Sequence, residues 1–442
     1  MRLSINGSTP MLFLLASSVR VPIAIDIEKA KQLGIHRSGV VSLDSVRFVD
    51  PQGRLSSIKH IFPRVVVTRL SLGRTVSGEE IAGVLGSGFF ATMPVRLDLR
   101  HNRLELLNAT ADTIMEQAAG RYVAVKLSPI GARSDVHTVP ILLPEGRKIA
   151  MVIATESNTS SLIEKDLKGI ELMEICPSAY LIKRYFQEKG LLTVSTILGR
   201  LAWLSIAGFK VEDVWLTIDC EGVKEQSIIG MDVLSCFDEL ILDYATGYLL
   251  LKKPEGRLRV RLVGVSGVSI RRDSSGRVTV QHVAPQSAGA RAGFQKGDRV
   301  VAIAGQDVDT WQEEGVQMLL DGYAGIAQTV TIEREGIAKE LILTPDNGCS
   351  SATSWGRFGF SASLVTVGSD VFFLVTHIHS DQARRAGLRV GDRIIAMNGY
   401  AVQEYEEMLP NLVRDAKRLE LRVKHLGEDK ETLLQIPAQN DG

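Results

Sequence analysis

Arg291-Ala292-Gly293-Phe294-Gln295-Lys296-Gly297-Asp298-Arg299-Val300-Val301-Ala302-Ile303-Ala304-Gly305 recurs 94 positions later as Arg385-Ala386-Gly387-Leu388-Arg389-Val390-Gly391-Asp392-Arg393-Ile394-Ile395-Ala396-Met397-Asn398-Gly399. Each copy reads the same way. Ala-Gly ends a short helix, because glycine takes the left-handed conformation that closes a last turn. Gly-Asp then makes a tight turn, the apolar run after it forms a strand, and a further glycine turns the chain again. Agreement over so long a pattern means two copies of one folded unit. Beyond each strand, apolar spacing predicts a helix, over 311–320 in the first copy and 404–416 in the second. Between the copies, Pro345-Asp346-Asn347-Gly348-Cys349-Ser350-Ser351-Ala352-Thr353-Ser354 has linker composition.

This pattern resembles bacterial PDZ domains. The resemblance implies two small α+β barrels, over 256–346 and 356–438, joined by a linker at 347–355. In such a domain an extended ligand C-terminus adds to a sheet edge, and its carboxylate is held by backbone N–H groups of a glycine-containing loop. Arg357-Phe358-Gly359-Phe360 resembles that loop, and Val265-Ser266-Gly267-Val268 is a poorer match in the first copy. The partners implied are peptides or protein C-termini, bound mainly by the second domain. The competing reading is a packing module with a covered groove. His377 and His379 share one face of a strand with Asp381 nearby, but no third ligand completes a metal site, so they read as solvated side chains. No metal and no cofactor are expected.

Upstream, Met11-Leu12-Phe13-Leu14-Leu15-Ala16-Ser17-Ser18-Val19 and Ile149-Ala150-Met151-Val152-Ile153-Ala154-Thr155-Glu156-Ser157 each read as an apolar strand running into a turn. Each has a later counterpart, Ala82-Gly83-Val84-Leu85-Gly86 and Ile228-Ile229-Gly230-Met231-Asp232. From Ala16 to Gly86 is 70 positions (86 − 16), and from Ala154 to Gly230 is 76 (230 − 154). A hairpin follows each, turning at His101-Asn102 and at Thr246-Gly247. Similar units at similar spacing imply a duplication. The first 255 residues otherwise read as strands in a repeated six-stranded lobe, with helix candidates at 27–33 and 178–189.

These units resemble the active-site strand and turn of retropepsin-like and pepsin-like aspartic proteases. The resemblance implies a mainly β fold: two aspartic-protease-like lobes, 1–125 and 126–255, forming a pseudo-dimer ahead of the PDZ-like barrels. It also implies that the aspartates are gone. Ala16, Ser17 and Ser18 stand in the first motif, and Ala154, Thr155 and Glu156 in the second. A working dyad places two carboxylates about 3 Å apart to share one proton, and alanine can neither take nor give one. The motif's third residue is glycine in the family, and Ser18 and Glu156 depart from it as well. Engineered inactivation changes aspartates and leaves glycines alone, so natural loss is the better account of these positions. The implied function is a catalytically inactive, peptide-binding adaptor or regulator. The alternative is an aspartic endopeptidase represented by an inactivated variant.

The 442-residue length suits three or four domains, and 51 basic against 51 acidic residues give no reason to expect nucleic acid as a partner. No run approaches the roughly 18 apolar residues of a membrane-spanning helix. The short apolar run at Met11–Ala16 has only Arg2 before it and reads as a buried strand rather than a secretory signal. Cys176, Cys220, Cys236 and Cys349 lack CxxC or metal-ligand spacing and read as thiols. Three Asn-x-Ser/Thr sequences begin at Asn6, Asn108 and Asn158. The compartment is left open: cytoplasmic as given, or periplasmic or extracellular if a signal has been removed. No Gly-x-Ser-Gly-Gly nucleophile loop and no HExxH zinc motif is present.

Overall fold

The computed structural model describes the chain apart from residues 44, 51, 55–63, 71–74, 76–77, 118–119, 132–134, 188–189, 220–224, 261, 274–275, 310, 348–352, 368–369, 406–407, 414–415 and 439–442. It also leaves out the side chains of 64, 117, 177–196, 314, 353–354, 366–367 and 411–412. The fold is mainly β. The chain forms two compact units, residues 1–92 with 261–348 and residues 93–260 with 349–442.

In the first unit, strands 39–42, 64–68, 23–26, 81–85, 11–15 and 2–5 lie side by side in that order, with 46–49 beyond them. In the second, strands 190–206, 209–219, 161–163, 228–229, 148–153 and 137–142 repeat the order. The parallel pairings repeat too: Met11–Leu15 with Ile81–Leu85, and Lys148–Ile153 with Ile228–Ile229. The second sheet also closes on itself, where Ile141 and Leu142 pair with Ile206 and Ser205, inside the flanking strands Ser128–Pro129 and Glu174–Gln187. The turn glycines are required by close approach. A Cβ on Gly86 would lie 2.1 Å from the Val21 oxygen, and one on Gly230 would lie 2.8 Å from the Ser157 oxygen.

A separate five-stranded sheet in the second unit joins hairpins from both repeats. The Val95–Asp98 strand meets the Glu239–Asp243 strand antiparallel, Arg96 opposite Ile241, flanked by Leu97 with Leu240 and Val95 with Leu242. This register relates the two hairpins by a local two-fold. The Tyr122–Lys126 strand, which crosses the expected boundary at 125, pairs with Tyr248–Lys252 at the edge of the same sheet. Buried Glu239 is held there by Arg121 at 2.7 Å and Arg96 at 3.2 Å, and it accepts a hydrogen bond from Tyr122. Burial and that neighbouring carboxylate push the Tyr122 hydroxyl up to about 12.

The expected helix over 178–189 is instead part of the Glu174–Gln187 strand, paired along the Gly190–Ile206 strand. Tyr180, Ile182, Tyr185 and Phe186 favour strand, and the long partner, remote from any local period, decides the matter. The helix over Ile27–Gln32 forms as expected, capped by the Asp26 side chain, which accepts from Glu28 N.

The last two sheets share one plan. Strands 268–272, 278–283, 299–303, 328–334 and 337–343 follow one another in the first, and 360–367, 370–378, 393–397, 418–424 and 431–437 in the second. Alternation builds them: in Arg418–Lys424, Leu419, Leu421 and Val423 are buried while the residues between are not. Val316 and Leu320 of the Glu313–Asp321 helix close the first core over Val278, Val300, Val330 and Ile332, each such side chain contributing about 1.5–3 kcal/mol. The helix expected over 404–416 is broken into Val402–Tyr405 and Leu409–Leu412. Pro410 lacks an N–H and fits only a first turn, so it starts the second piece. Thr353–Trp355, read as linker, form a strand of the last sheet. Residues 348–352 of that linker, and Cys220 and Cys349, lie outside the described residues.

Within the second unit, the last sheet docks on the preceding lobe through polar contacts. Glu164 accepts from Arg393 Nη2 at 2.8 Å and from Gly427 N at 3.1 Å, and Glu171 pairs with Arg384. Among the described residues no helix is long and apolar enough to cross a membrane. Gly86→Ala should lower stability by about 1–3 kcal/mol through overpacking. Gly256→Ala, where a Cβ meets nothing within 4 Å, should stay within about 0.5 kcal/mol of wild type. Urea denaturation of the two variants checks the difference.

Candidate functional site

The turns at Ala16 and Ala154 are built by the same hydrogen bonds. Ala16 N donates to Leu85 O at 2.9 Å, Val19 N to Ala16 O at 3.0 Å, and Ser87 N to Val19 O at 2.8 Å. In the second unit Ala154 N donates to Ile229 O at 3.0 Å, Ser157 N to Ala154 O at 3.1 Å, and Met231 N to Ser157 O at 2.7 Å. Ala16, Ser17 and Ala154 are buried, while Ser18, Thr155 and Glu156 are half-buried. At 16 and 154 each turn has a methyl group, which has no ionisable proton to give and no lone pair to accept one. The turns are braced differently. Asp232 accepts from Ser160 N at 2.7 Å and Ser160 Oγ at 2.6 Å, and that hydroxyl accepts from Gly230 N at 3.0 Å. In the first turn Gly86 N donates to Pro22 O at 3.1 Å, and Gly88 packs against the Pro22 ring. The Ser160–Asp232 brace was missed in the sequence, although Asp232 sits in the Gly230-Met231-Asp232 motif.

In the first PDZ-type sheet, side chains of the Glu313–Asp321 helix bond to the neighbouring loop and strand. Ser266 is fully buried and donates to Asp321 Oδ1 from its N at 3.0 Å and its Oγ at 2.7 Å, while Val268 N donates to Ser266 Oγ at 3.2 Å. Gln317 Nε2 donates to Val268 O at 3.0 Å, and Arg272 N to Glu313 Oε2 at 2.7 Å. The Val265-Ser266-Gly267-Val268 loop, with Gly267 at φ 68°, thus holds a carboxylate from the end of its own helix. Nothing local in the sequence links Asp321 to Ser266.

In the second, Gly356–Phe358 form a single 3₁₀ turn, and Gly359 follows at φ 72° in the left-handed region. Gly359 N donates to Trp355 O at 3.0 Å and Gly356 O at 3.1 Å, and Gly359 O accepts from His379 N at 2.7 Å. Phe358 and Phe360 are buried and Arg357 is exposed. The Phe360–Val367 strand has Asp370–Ile378 on one edge and Thr353–Trp355 on the other. His377 and His379 stack at 6.0 Å, the first with Nε2 3.4 Å from Glu174 Oε1 and the second 2.8 Å from Ser361 Oγ.

The Gly-Asp turns of the two copies are buried alike but paired differently. Asp298 accepts Arg334 Nε and Nη2, both at 2.7 Å, whereas Asp392 lies 2.8 Å from His425 Nδ1. Burial raises Asp298, yet Arg334 and the Gln295 N–H outweigh it and hold the carboxyl below its ordinary range. Burial prevails at Asp392 and pushes it up. The hydrogen bond to Asp392 raises His425, against burial.

Residues 279–334 match the family model of the PDZ domain. A protein of Neisseria meningitidis serogroup A named "Putative zinc metalloprotease" is 30% identical over 160 residues, 33% of this chain and 32% of that one. Regulator of sigma-E protease RseP of Escherichia coli is 30% identical over 86 residues, 20% of this chain and 19% of that one. The chain therefore spans a third or less of the length of these relatives. Among solved structures, a retropepsin-like aspartic protease from Rickettsia conorii is 16% identical and aligns with a TM-score of 0.21, covering 29% of this chain and 89% of that one.

The Asp392–His425 pair has a pH consequence. A histidine raised in the fold stabilises it fully below the unfolded value of about 6.5 and loses that contribution as pH rises through the raised value. Asp392, also raised, acts in the same sense at lower pH. Thermal melts between pH 6 and 9 should show stability falling as pH rises, and His425→Arg, copying Arg334, should remove that slope.

Proposed function

We propose that this chain is a peptide-binding adaptor or regulator, built on aspartic-protease-like lobes without a catalytic dyad and carrying two PDZ-type domains. The observation that carries the reading is the pair of matched turns at Ala16 and Ala154: the same hydrogen bonds shape both, and neither holds a carboxyl group where acid–base chemistry would need one. Scaffold and chemistry are separable, because a turn's geometry rests on backbone contacts and glycines, whereas proton transfer rests on two side chains. The PDZ match supports peptide recognition, since these domains capture extended C-termini along a sheet edge. The Arg357-Phe358-Gly359-Phe360 loop is the assigned carboxylate site. The relatives named as proteases are matched over a minor part of their length, and this chain lacks the HExxH motif, so metalloprotease activity is not part of the proposal.

The purified chain should cleave no unstructured protein at pH 3 to 5, and Ala16→Asp with Ala154→Asp should not restore efficient turnover, because Ser18 and Glu156 still occupy glycine positions. Cleavage blocked by a transition-state analogue of aspartic proteases would overturn the reading in favour of an endopeptidase. Peptide titrations should show binding that needs a free C-terminal carboxylate and is lost in Gly359→Val, since φ 72° strains a β-branched residue. Equal binding of free and amidated peptides would remove the carboxylate assignment.

A further inference from the structure

The edge that a ligand would use in the second PDZ-type sheet already carries a strand of the same chain. Thr353 lies opposite Ala362, Ser354 opposite Ser361, and Trp355 opposite Phe360, antiparallel. A captured C-terminus adds to such an edge with its last residue beside the carboxylate loop. Trp355 stands at that last position. Its carbonyl oxygen accepts from Gly359 N at 3.0 Å, as one oxygen of a terminal carboxylate would. The side chain is equally ligand-like. The indole is 6% exposed, stacks on Phe360 at 6.1 Å and 14°, and meets Phe373 edge-on at 5.7 Å and 82°. In the first sheet the corresponding Val268–Arg272 strand is the end of the sheet order, with no such strand beside it among the described residues.

One defect marks Trp355 as a replaceable occupant. Its Nε1 is buried with no acceptor among the described residues, and an unpaired buried donor is unfavourable. A phenyl ring would still pack between Phe360 and Phe373, over a smaller area, and would bury no unpaired donor.

Resting on the peptide-binding reading, we propose that Thr353–Trp355 is a built-in competitor for the second groove, and that the partner is a protein C-terminus ending in phenylalanine, whose ring replaces the Trp355 indole. A short tether gives the internal strand a high effective concentration, so apparent affinity is reduced by the fraction of molecules with the groove open.

The experiment titrates the full-length chain with fluorescent hexapeptides of one sequence ending in Phe, Trp or Lys as free acids, and in Phe as the amide. Wild type is compared with Trp355→Ala, which empties the pocket, and Trp355→Phe, which removes the unpaired donor while keeping a smaller aromatic ring. The Phe free acid should bind Trp355→Ala at least tenfold tighter than wild type, about 1.4 kcal/mol, and should bind Trp355→Phe more weakly than wild type. A gain of affinity cannot come from misfolding, and the two variants move in opposite directions. Hydrogen exchange at Gly359, whose N–H donates to the Trp355 carbonyl, should quicken in Trp355→Ala without any ligand. Equal free-acid affinity in all three proteins, with the amide weaker, would overturn the competitor while leaving the peptide-binding reading intact. Binding of the Lys-ended peptide as tight as the Phe-ended one would overturn the pocket assignment. Indifference to the carboxylate in every protein would remove the reading and the competitor together.

Discussion

A strand edge carries a row of N–H and C=O groups that must be paired or solvated, and much of this molecule consists of ways of pairing them from within. In the second lobe, the strands at 137–142 and 190–206 meet and close the sheet. Between the repeats, two hairpins satisfy one another across Arg96 and Ile241. At the first groove, Gln317 and Glu313 take groups of the Val268–Arg272 strand, and Asp321 takes those of Ser266. At the second, a backbone strand does the work that side chains do at the first. The two sheets share a plan, but different groups meet their corresponding loops, the Asp321 carboxylate in one and the Trp355 carbonyl in the other.

The repeated lobes show how one turn geometry is kept with different bracing. Ala16 and Ala154 occupy matching turns, and the approach of backbone to Gly86 and Gly230 is close enough that a side chain at either would collide with a carbonyl oxygen. What has diverged is the bracing: a proline and a glycine in contact around one turn, a serine–aspartate hydrogen bond around the other. A backbone turn can be stabilised by either device, so the brace can change while the shape persists. A carboxylate dyad has no such substitute, and these turns contain none.

The buried Gly-Asp aspartates make the same point about electrostatics. Both accept a backbone N–H three residues upstream, from Gln295 and from Arg389. A guanidinium brings two donors and a permanent charge, and it outweighs the burial of Asp298. An imidazole brings one contact and a charge that depends on pH, and it does not outweigh the burial of Asp392. One partner residue, Arg334 or His425, thus separates a carboxyl held below its ordinary range from one pushed above it.

Short-range signals in the sequence determined the repeated turn-and-strand units, the mainly β class, the capped helix at Ile27–Gln32 and the positions of the degenerate turns. These depend on glycine conformations, caps and alternation within a few residues of one another. The strand at Glu174–Gln187 could not be read that way, because its partner supplies what its own period does not. Pro410 was visible, yet the apolar spacing around it suggested one helix where the proline permits two. Asp321 beneath Ser266, Asp232 against Ser160, His425 on Asp392 and Trp355 on Phe360 were each decided by the tertiary structure. Apart from Trp355, each pair joins residues 33 to 72 positions apart. Trp355 lies close to Phe360 in sequence, but its role comes from the sheet edge it covers, and which edges stay open is known only once all the strands are in place.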